Sequence, residues 1–218
     1  SDTVREALEE MGDEANPWIM DLRSNPGGTD TAVTLSVGWF TDGIMVYMMG
    51  RDGLAYYRGI RPDAPDLTDV PVVVLTSPWS ASGAEMFTAA VRAHDLGIAI
   101  GQRTYGKGVA QVVFDETTSN GTIAEPFDGD CLKATAYRFY APDGATNDTV
   151  GVIPTLLISQ ENTEAAALLL RADAPTLADG SLKLELAGHT FYIDETSARH
   201  VDNRAAFTEL LEALPPAA

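Results

Sequence analysis

Apolar positions along this chain recur in two rhythms, one suited to helices and one to strands. In "TVREALEEM", Val4, Ala7, Leu8 and Met11 fall three or four residues apart, the spacing of an amphipathic helix. "PWIMDLR" reads as a short buried strand, and "SNPGG" ends it in a dense cluster of turn residues. "TAVTLSVGWF" reads as a helix despite its β-branched content, with Ala32, Leu35, Val37 and Trp39 as its apolar positions. "GIMVYMMG" and "GLAYYRGI" read as two strands joined at Gly50 to Gly53. After the loop "PDAPDLTD", the unbroken run "VPVVVLT" has the pattern of a central parallel strand covered on both faces.

The second half keeps alternating. "SPWSAS" is a loop that opens the helix "GAEMFTAAVRAHD", and "LGIAI" is another buried strand. "GQRTYGKG" leads into the strand "VAQVVF", followed by a polar loop to about Asp130 and a hairpin partner, "CLKATAYRFYAP". "VGVIPTLLI" reads as a late strand and "NTEAAALLLRA" as a helix. Composition shifts near "DAPTLADG", and beyond it "LKLELAG", "HTFYID" and "RAAFTELLEAL" predict two strands and a helix. Strands alternating with helices predict an α/β core over residues 1–173, with parallel strands and covering helices. Residues 174–218 are read as a small ββα appendage.

Composition narrows the function classes. Acidic residues number 32 against 14 basic, a net charge of -18, which repels phosphate backbones and argues against nucleic-acid binding. Cys131 is the only cysteine, so no intrachain disulfide forms, and no Cys/His set has metal-ligand spacing. No metal or cofactor is expected. No apolar run approaches the length of a membrane span. The chain begins at Ser1 without an initiator Met, read as a processing site or a boundary within a longer protein.

The candidate chemistry centres on Lys107. "GQRTYGKG" resembles a phosphate-binding loop, but that motif needs Ser or Thr after the lysine and a helix after the loop. Here Gly108 follows, and then a strand-like run. A surface lysine in a glycine turn is the plainest alternative. The third reading is a general base, which requires a neutral amine, favoured by burial, and a nucleophile within reach.

"SPWSASGAE" supplies the nucleophile candidates. Ser82 stands where the helix begins, and the N–H groups of a helix start are unpaired and able to hold a developing oxyanion. Gly83 leaves its own N–H accessible. The same letters also spell a capping box, with Ser82 as N-cap and Glu85 three residues on, and Ser80 reads as a cap or a loop hydroxyl. His94 lies twelve residues beyond Ser82 on the same predicted helix, roughly 18 Å away. His94, His189 and His200 are therefore read as structural or surface residues. The glycines of "DLRSNPGG" let a backbone N–H approach a ligand closely, while Asp21 and Arg23 read as an ion pair tying down that loop.

Together "DLRSNPGG", "SASGAE" and "GQRTYGKGVAQ", in that order, resemble the signature of the C-terminal processing peptidases, or tail-specific proteases. The apolar strand "VPVVVLT" and the stretch "LKATAYRFYAPDGATNDTVGVIPTLLI" extend the likeness over most of residues 1–170. The resemblance implies a Ser/Lys serine endopeptidase on a crotonase-like or Clp-protease-like α/β core, acting on a polypeptide substrate near its C-terminus. It implies Ser82 as nucleophile, Lys107 as base and Gln111 as the residue orienting the lysine amine. The oxyanion hole would come from the N–H groups of Gly83 and Gly27, with Gly28 as the alternative second donor. The resemblance also implies a bacterial envelope or secreted location, and leaves homo-oligomerisation open. Two parts of the family pattern, a PDZ domain ahead of the core and a strand before "SDTVREAL", have no counterpart in these residues. The core is accordingly read as N-terminally truncated. A catalytically silent peptide-binding scaffold on the same fold is the alternative function.

Overall fold

Strand β4 (Val72–Thr76), buried at all five residues, is an inner strand of the parallel sheet. The computed structural model describes residues 2–11, 16–59, 70–114, 131–173 and 180–215. The loops expected at "PDAPDLTD" and up to Asp130, and most of "DAPTLADG", lie outside the described residues. β4 pairs in parallel with β1 (Trp18–Asp21) on one side and β5 (Gly97–Gly101) on the other. β5 in turn pairs with β8 (Leu156–Leu157), giving the order β1-β4-β5-β8.

Side chains alternate across a strand, so the apolar run of β4 serves two cores. Val72 and Val74, with Met20 and Ala99, face helices α1 (Asp2–Met11), α2 (Asp30–Val37) and α3 (Gly83–Ala93). Val73 and Leu75, with Ile19, Ile98 and Ile100, face the opposite way. There they meet α4 (Thr163–Leu169), the hairpin β9 (Ser181–Leu186) and β10 (His189–Asp194), and helices α5 (Glu195–Arg199) and α6 (Arg204–Ala213). The hairpin β9–β10 and helix α6 place Leu184, Phe191, Ile193 and Leu210 in that second core. Burying each such side chain contributes about 1.5–3 kcal/mol, so the unit covers a sheet face that would otherwise be wet.

A second sheet, antiparallel, borders the first core in the order β3-β2-β7-β6. It comprises β2 (Ile44–Gly50), β3 (Gly53–Gly59), β6 (Val109–Phe114) and β7 (Leu132–Tyr140). No helix among the described residues is long and apolar enough to cross a membrane.

Three elements differ from expectation. Helix α2 buries Val33 and Val37, not Ala32 and Leu35, which are exposed. Its apolar letters fit more than one helical phase, and packing on α3 selects one. Thr29 caps it by accepting from the Ala32 N–H, which offsets its β-branched content. The late strand is only two residues long, because Gly151 takes φ +78° and Pro154 follows, bending the chain toward Thr104. Helix α5 was not foreseen, although Asp194 caps it through the Thr196 and Ser197 N–H groups.

The C-terminal unit is tied to the sheet by polar contacts as well. Arg171 and Tyr192 exchange backbone hydrogen bonds, and the Glu209 carboxylate of α6 accepts from Ser159 N–H (2.5 Å), Ser159 Oγ (2.7 Å) and Asn162 Nδ2 (2.7 Å). Burial pushes the Glu209 carboxyl up, but these hydrogen bonds outweigh it and hold it below its ordinary value of 4.5. A carboxyl lowered by folding stabilises at pH above its unfolded value, and that stability is lost as pH falls through its folded value. Glu209→Gln is therefore expected to lower Tm at neutral pH by roughly 2–4 °C, about 1 kcal/mol, the size of a lost helix cap. The gap between variant and wild type should close as pH falls below 4.5. Thermal melts across pH 3–8 test this; a gap that stays constant would show that the carboxylate charge is not the tie.

Candidate active site

Three loops leave the carboxyl ends of adjacent parallel strands, the edge of an open α/β sheet where ligands bind. "DLRSNPGG" follows β1, "SPWSAS" follows β4, and "QRTYGKG" follows β5. Their hydrogen bonds continue the sheet for one residue, Leu22 N–H to Leu75 O and Gln102 N–H to Thr76 O, each at 3.0 Å. Beyond that the loops lock onto one another.

Ser80 is the first lock. Its side chain is fully buried; Oγ donates to Leu22 O at 2.7 Å and accepts from Ser77 N–H at 2.9 Å. It is the loop hydroxyl that the sequence allowed. The Ala81 N–H donates to Asn25 O, and the Tyr105 N–H to Ser80 O, both at 3.0 Å. The serine loop is thus held from both sides.

Ser82 differs from its neighbours. It precedes the first residue of α3 and holds φ 55° and ψ −112°, a sparsely populated conformation that costs of order 1–3 kcal/mol. Its hydroxyl-bearing residue is half-buried, not enclosed.

Glu85 is the second lock and the residue whose full role the sequence did not show. It was legible as the third position of a capping box, and its carboxylate does accept from the Ser82 N–H at 2.8 Å. The same oxygen, Oε2, accepts from the Lys107 N–H at 2.8 Å. Oε1 accepts from Gly106 N–H at 2.8 Å and from Thr104 Oγ at 2.5 Å. Glu85 is fully buried, so one carboxylate, saturated by four donors, sets the Ser82 backbone beside the Lys107 backbone.

The lysine loop is braced from the far side by residues 147–152. Thr104 exchanges hydrogen bonds with Val152, N–H to O at 3.1 Å and Oγ from N–H at 2.6 Å. Thr149 N–H donates to Gly106 O at 2.8 Å. A side chain on Gly108 would meet the Asp148 backbone at 2.5 Å, so only glycine fits there. Lys107 itself is half-buried, and the chain enters strand β6 after it, not a helix.

The glycine loop closes the site. Gly27 takes φ +99°, and a Cβ there would lie 2.5 Å from both Ala81 O and Gly83 N. The loop therefore touches the start of α3 backbone to backbone. The Gly27 N–H, expected as the second oxyanion donor, donates instead to Asn25 Oδ1 at 2.8 Å. The N–H groups of Gly28 and Gly83 have no partner among the described residues, and a Cβ on Gly83 would approach Gly28 N to 2.8 Å. Two unspent amides therefore stand side by side next to Ser82.

Gln111 lies on β6, with Nε2 donating to Thr135 Oγ at 3.3 Å; no bond from it to Lys107 is formed among the described residues. Asp21 and Arg23 form the expected ion pair, and Arg23 also reaches Glu164 of α4 at 2.8 Å. The Arg23 hydrogen bond, working against burial, holds the Asp21 carboxyl below the usual range. His94 caps α3 far from these loops, with Nε2 2.8 Å from Ile44 O, a structural role as read from sequence.

The match to known proteins follows the same segments. The model of Peptidase family S41 matches residues 1–158. The carboxyl-terminal-processing peptidase 2, chloroplastic, of Arabidopsis thaliana is 30% identical over 156 residues, 71% of this chain and 28% of its own length. A carboxyl-terminal-processing protease of Synechocystis is 27% identical over 167 residues, covering 76% and 36%. The chain thus spans about a third of the length of these relatives. The solved structure of the photosystem II D1 C-terminal processing protease shares the fold with TM-score 0.60 and 24% identity, over 72% of this chain and 38% of that one. A structure from Bacteroides fragilis described as an S41 protease aligns over 98% of this chain and 50% of its own, with TM-score 0.58 and 16% identity. With its three loops, its α/β core and this match over most of its length, the chain belongs to peptidase family S41.

Proposed function

We propose that this chain is the catalytic core of a serine endopeptidase that cleaves extended polypeptides near their C-termini. The observation that carries the proposal is the shared Glu85 carboxylate, which fixes a conformationally strained Ser82 and the Lys107 loop on one buried anchor beside two unspent amides. The carboxyl-terminal-processing names of the relatives support the substrate class. The resemblance supports a bacterial envelope or secreted location.

In the proposed reaction Ser82 Oγ attacks the scissile carbonyl carbon while its proton passes to the neutral Lys107 amine. The carbonyl oxygen becomes an oxyanion held by the Gly83 and Gly28 N–H groups. A helix-start amide and a glycine-loop amide suit this role because neither has a competing partner among the described residues. Collapse of the tetrahedral intermediate breaks the C–N bond, and the leaving amine takes the proton from Lys107. Water then attacks the acyl-enzyme while Lys107 again accepts a proton, and collapse of this second intermediate breaks the Ser82 Oγ–carbonyl bond, releases the new carboxyl terminus and returns the proton from Lys107 to Ser82 Oγ. The resemblance assigns Gln111 the orienting of the amine, which its Oε1 would do without adding charge.

Three outcomes test the assignment. Ser82→Ala should abolish cleavage of an unstructured protein while the fold persists, and Ser82→Gly should be equally inactive but more stable, by about 1 kcal/mol, because glycine tolerates positive φ. Ser80→Ala should lower stability by about 1–3 kcal/mol, the cost of stranding buried polar groups, yet retain cleavage. An active Ser82→Ala protein would leave the silent scaffold or another nucleophile as the better reading.

Lys107→Arg keeps a positive charge but cannot supply a neutral base. Both Lys107→Arg and Lys107→Ala should lose about 100- to 10,000-fold in rate while melting like wild type. Substantial turnover by Lys107→Arg would show that position 107 supplies charge and not proton transfer.

Glu85→Gln places an NH2 donor among four donors. It should lower kcat at least 10-fold and also reduce stability, since a broken buried network is among the costlier single changes. Loss of stability with unchanged kcat would separate the clamp from catalysis.

A further inference from the structure

The glycine loop runs into helix α2, and the first residue of that helix carries a charge. Asp30 lies two residues after Gly28, so their Cα atoms are at most about 7 Å apart. Its side chain is mostly buried. Burial pushes the carboxyl up, but its hydrogen-bond partners outweigh it and hold it below its ordinary value of 3.8. Asp30 is therefore an anion at neutral pH, close to the place where the proposed reaction develops a second negative charge. Two like charges at such a distance near a protein surface repel strongly enough to slow a reaction.

The antiparallel sheet answers that charge. Arg58 Nε donates to Asp30 Oδ2 at 2.7 Å, and the Tyr56 hydroxyl donates to the same oxygen at 3.1 Å. The Thr31 N–H covers Oδ1 at 2.8 Å. Tyr56 and Arg58 are alternate residues of β3 and share one face of it; the guanidinium carbon lies 5.1 Å from the centroid of the Tyr56 ring. Tyr56 in turn meets Tyr137 of β7 edge to face, with ring centroids 5.3 Å apart. Tyr137 stands opposite Ala110 of β6, three residues beyond Lys107. Contacts thus run from the start of α2 to the strand that follows the proposed base, by a route that does not include Glu85.

Resting on the catalytic reading above, we infer that Arg58 is a positioning residue for the oxyanion hole and acts through Asp30. It neutralises the carboxylate two residues from Gly28, and it holds the start of α2, and with it the Gly28 N–H, in a fixed place relative to the Lys107 strand. Arg58 itself is exposed, and an exposed ion pair contributes little to stability. Its effect falls on the transition state, where a bare carboxylate at Asp30 would oppose the charge forming on the carbonyl oxygen.

The test is steady-state cleavage of an unstructured polypeptide by the full-length enzyme and its variants, with melting temperatures to show that each is folded. Arg58→Met removes the charge and keeps the length of the side chain. It should lower kcat by about 10- to 100-fold, short of the roughly 100- to 1,000-fold of a lost oxyanion donor, while KM stays within about twofold. Arg58→Lys keeps the charge and should lose less. Adding Asp30→Asn to Arg58→Met removes the stranded carboxylate and should restore kcat by about tenfold. A merely structural tie predicts otherwise: once broken by Arg58→Met it stays broken, and the second change restores nothing. If Arg58→Met does not fold, Arg58→Lys against Arg58→Gln carries the same comparison, and the charged variant must be the faster. Unchanged kcat in Arg58→Met, an effect on KM alone, or a double variant no faster than Arg58→Met overturns the inference and leaves the catalytic reading standing, because the wild type still cleaves. A wild type that cleaves nothing overturns the catalytic reading and this inference with it.

Discussion

The site depends on one buried carboxylate. Removing a carboxylate from water costs several kcal/mol unless its oxygens are well supplied with donors. Glu85 is fully buried and accepts four hydrogen bonds, three from backbone N–H groups and one from Thr104. Charge-assisted bonds of this kind are roughly twice as strong as neutral ones. Because the donors come from two loops, the anion cannot be satisfied unless both loops are in place. The cost of burying the charge thus becomes a constraint on their relative position.

That constraint works only on a rigid base, and the parallel sheet supplies it. The alternation along β4 and β5 requires apolar cover on both faces. One face is covered by the helices that carry the serine and glycine loops. The other is covered by α4, whose Glu164 pairs with Arg23, and by the C-terminal unit, whose Glu209 reaches Ser159. Arg23 precedes the glycine loop directly. Together they support the same edge that the three site loops occupy.

Most of this was legible in sequence where pattern and local chemistry agree. The run "VVVLT", the turn cluster "SNPGG" and the amphipathic α3 appear where periodicity placed them. Helix α2 was legible as a helix but not in its phase, since Ala32, Val33, Leu35 and Val37 offer competing faces and only contact with α3 decides. The short β8 was overcalled because Pro154 and Gly151 sit inside an otherwise strand-like run, and their backbone needs are tertiary. At the site, Ser82 and Lys107 could be singled out one by one. The engagement of the Gly27 N–H by Asn25, two residues earlier, was open to a reading of Asn-Pro-Gly as a side-chain-closed turn. The four-donor clamp on Glu85 was not, because three of its donors lie about twenty residues away along the chain and join it only through folding.

The places where local rules are broken lie together. Ser82 holds a positive φ that no serine prefers, Gly28 and Gly83 leave amides unpaired among the described residues, and Gly27 and Gly83 bring two backbones closer than any side chain allows. Each is a local cost, and none improves packing. Elsewhere in these loops, polar groups at Ser77, Ser80, Thr104 and Glu85 are paired. Natural chains tolerate such concentrated cost where chemistry needs it and where surrounding structure over-determines the geometry. Here the over-determination can be named: Ser80 under the serine loop, Glu85 between the loops, and Asp148 to Val152 behind the lysine. The strain at Ser82 is therefore held by its neighbours and does not relax, as the nucleophilic role proposed for it requires.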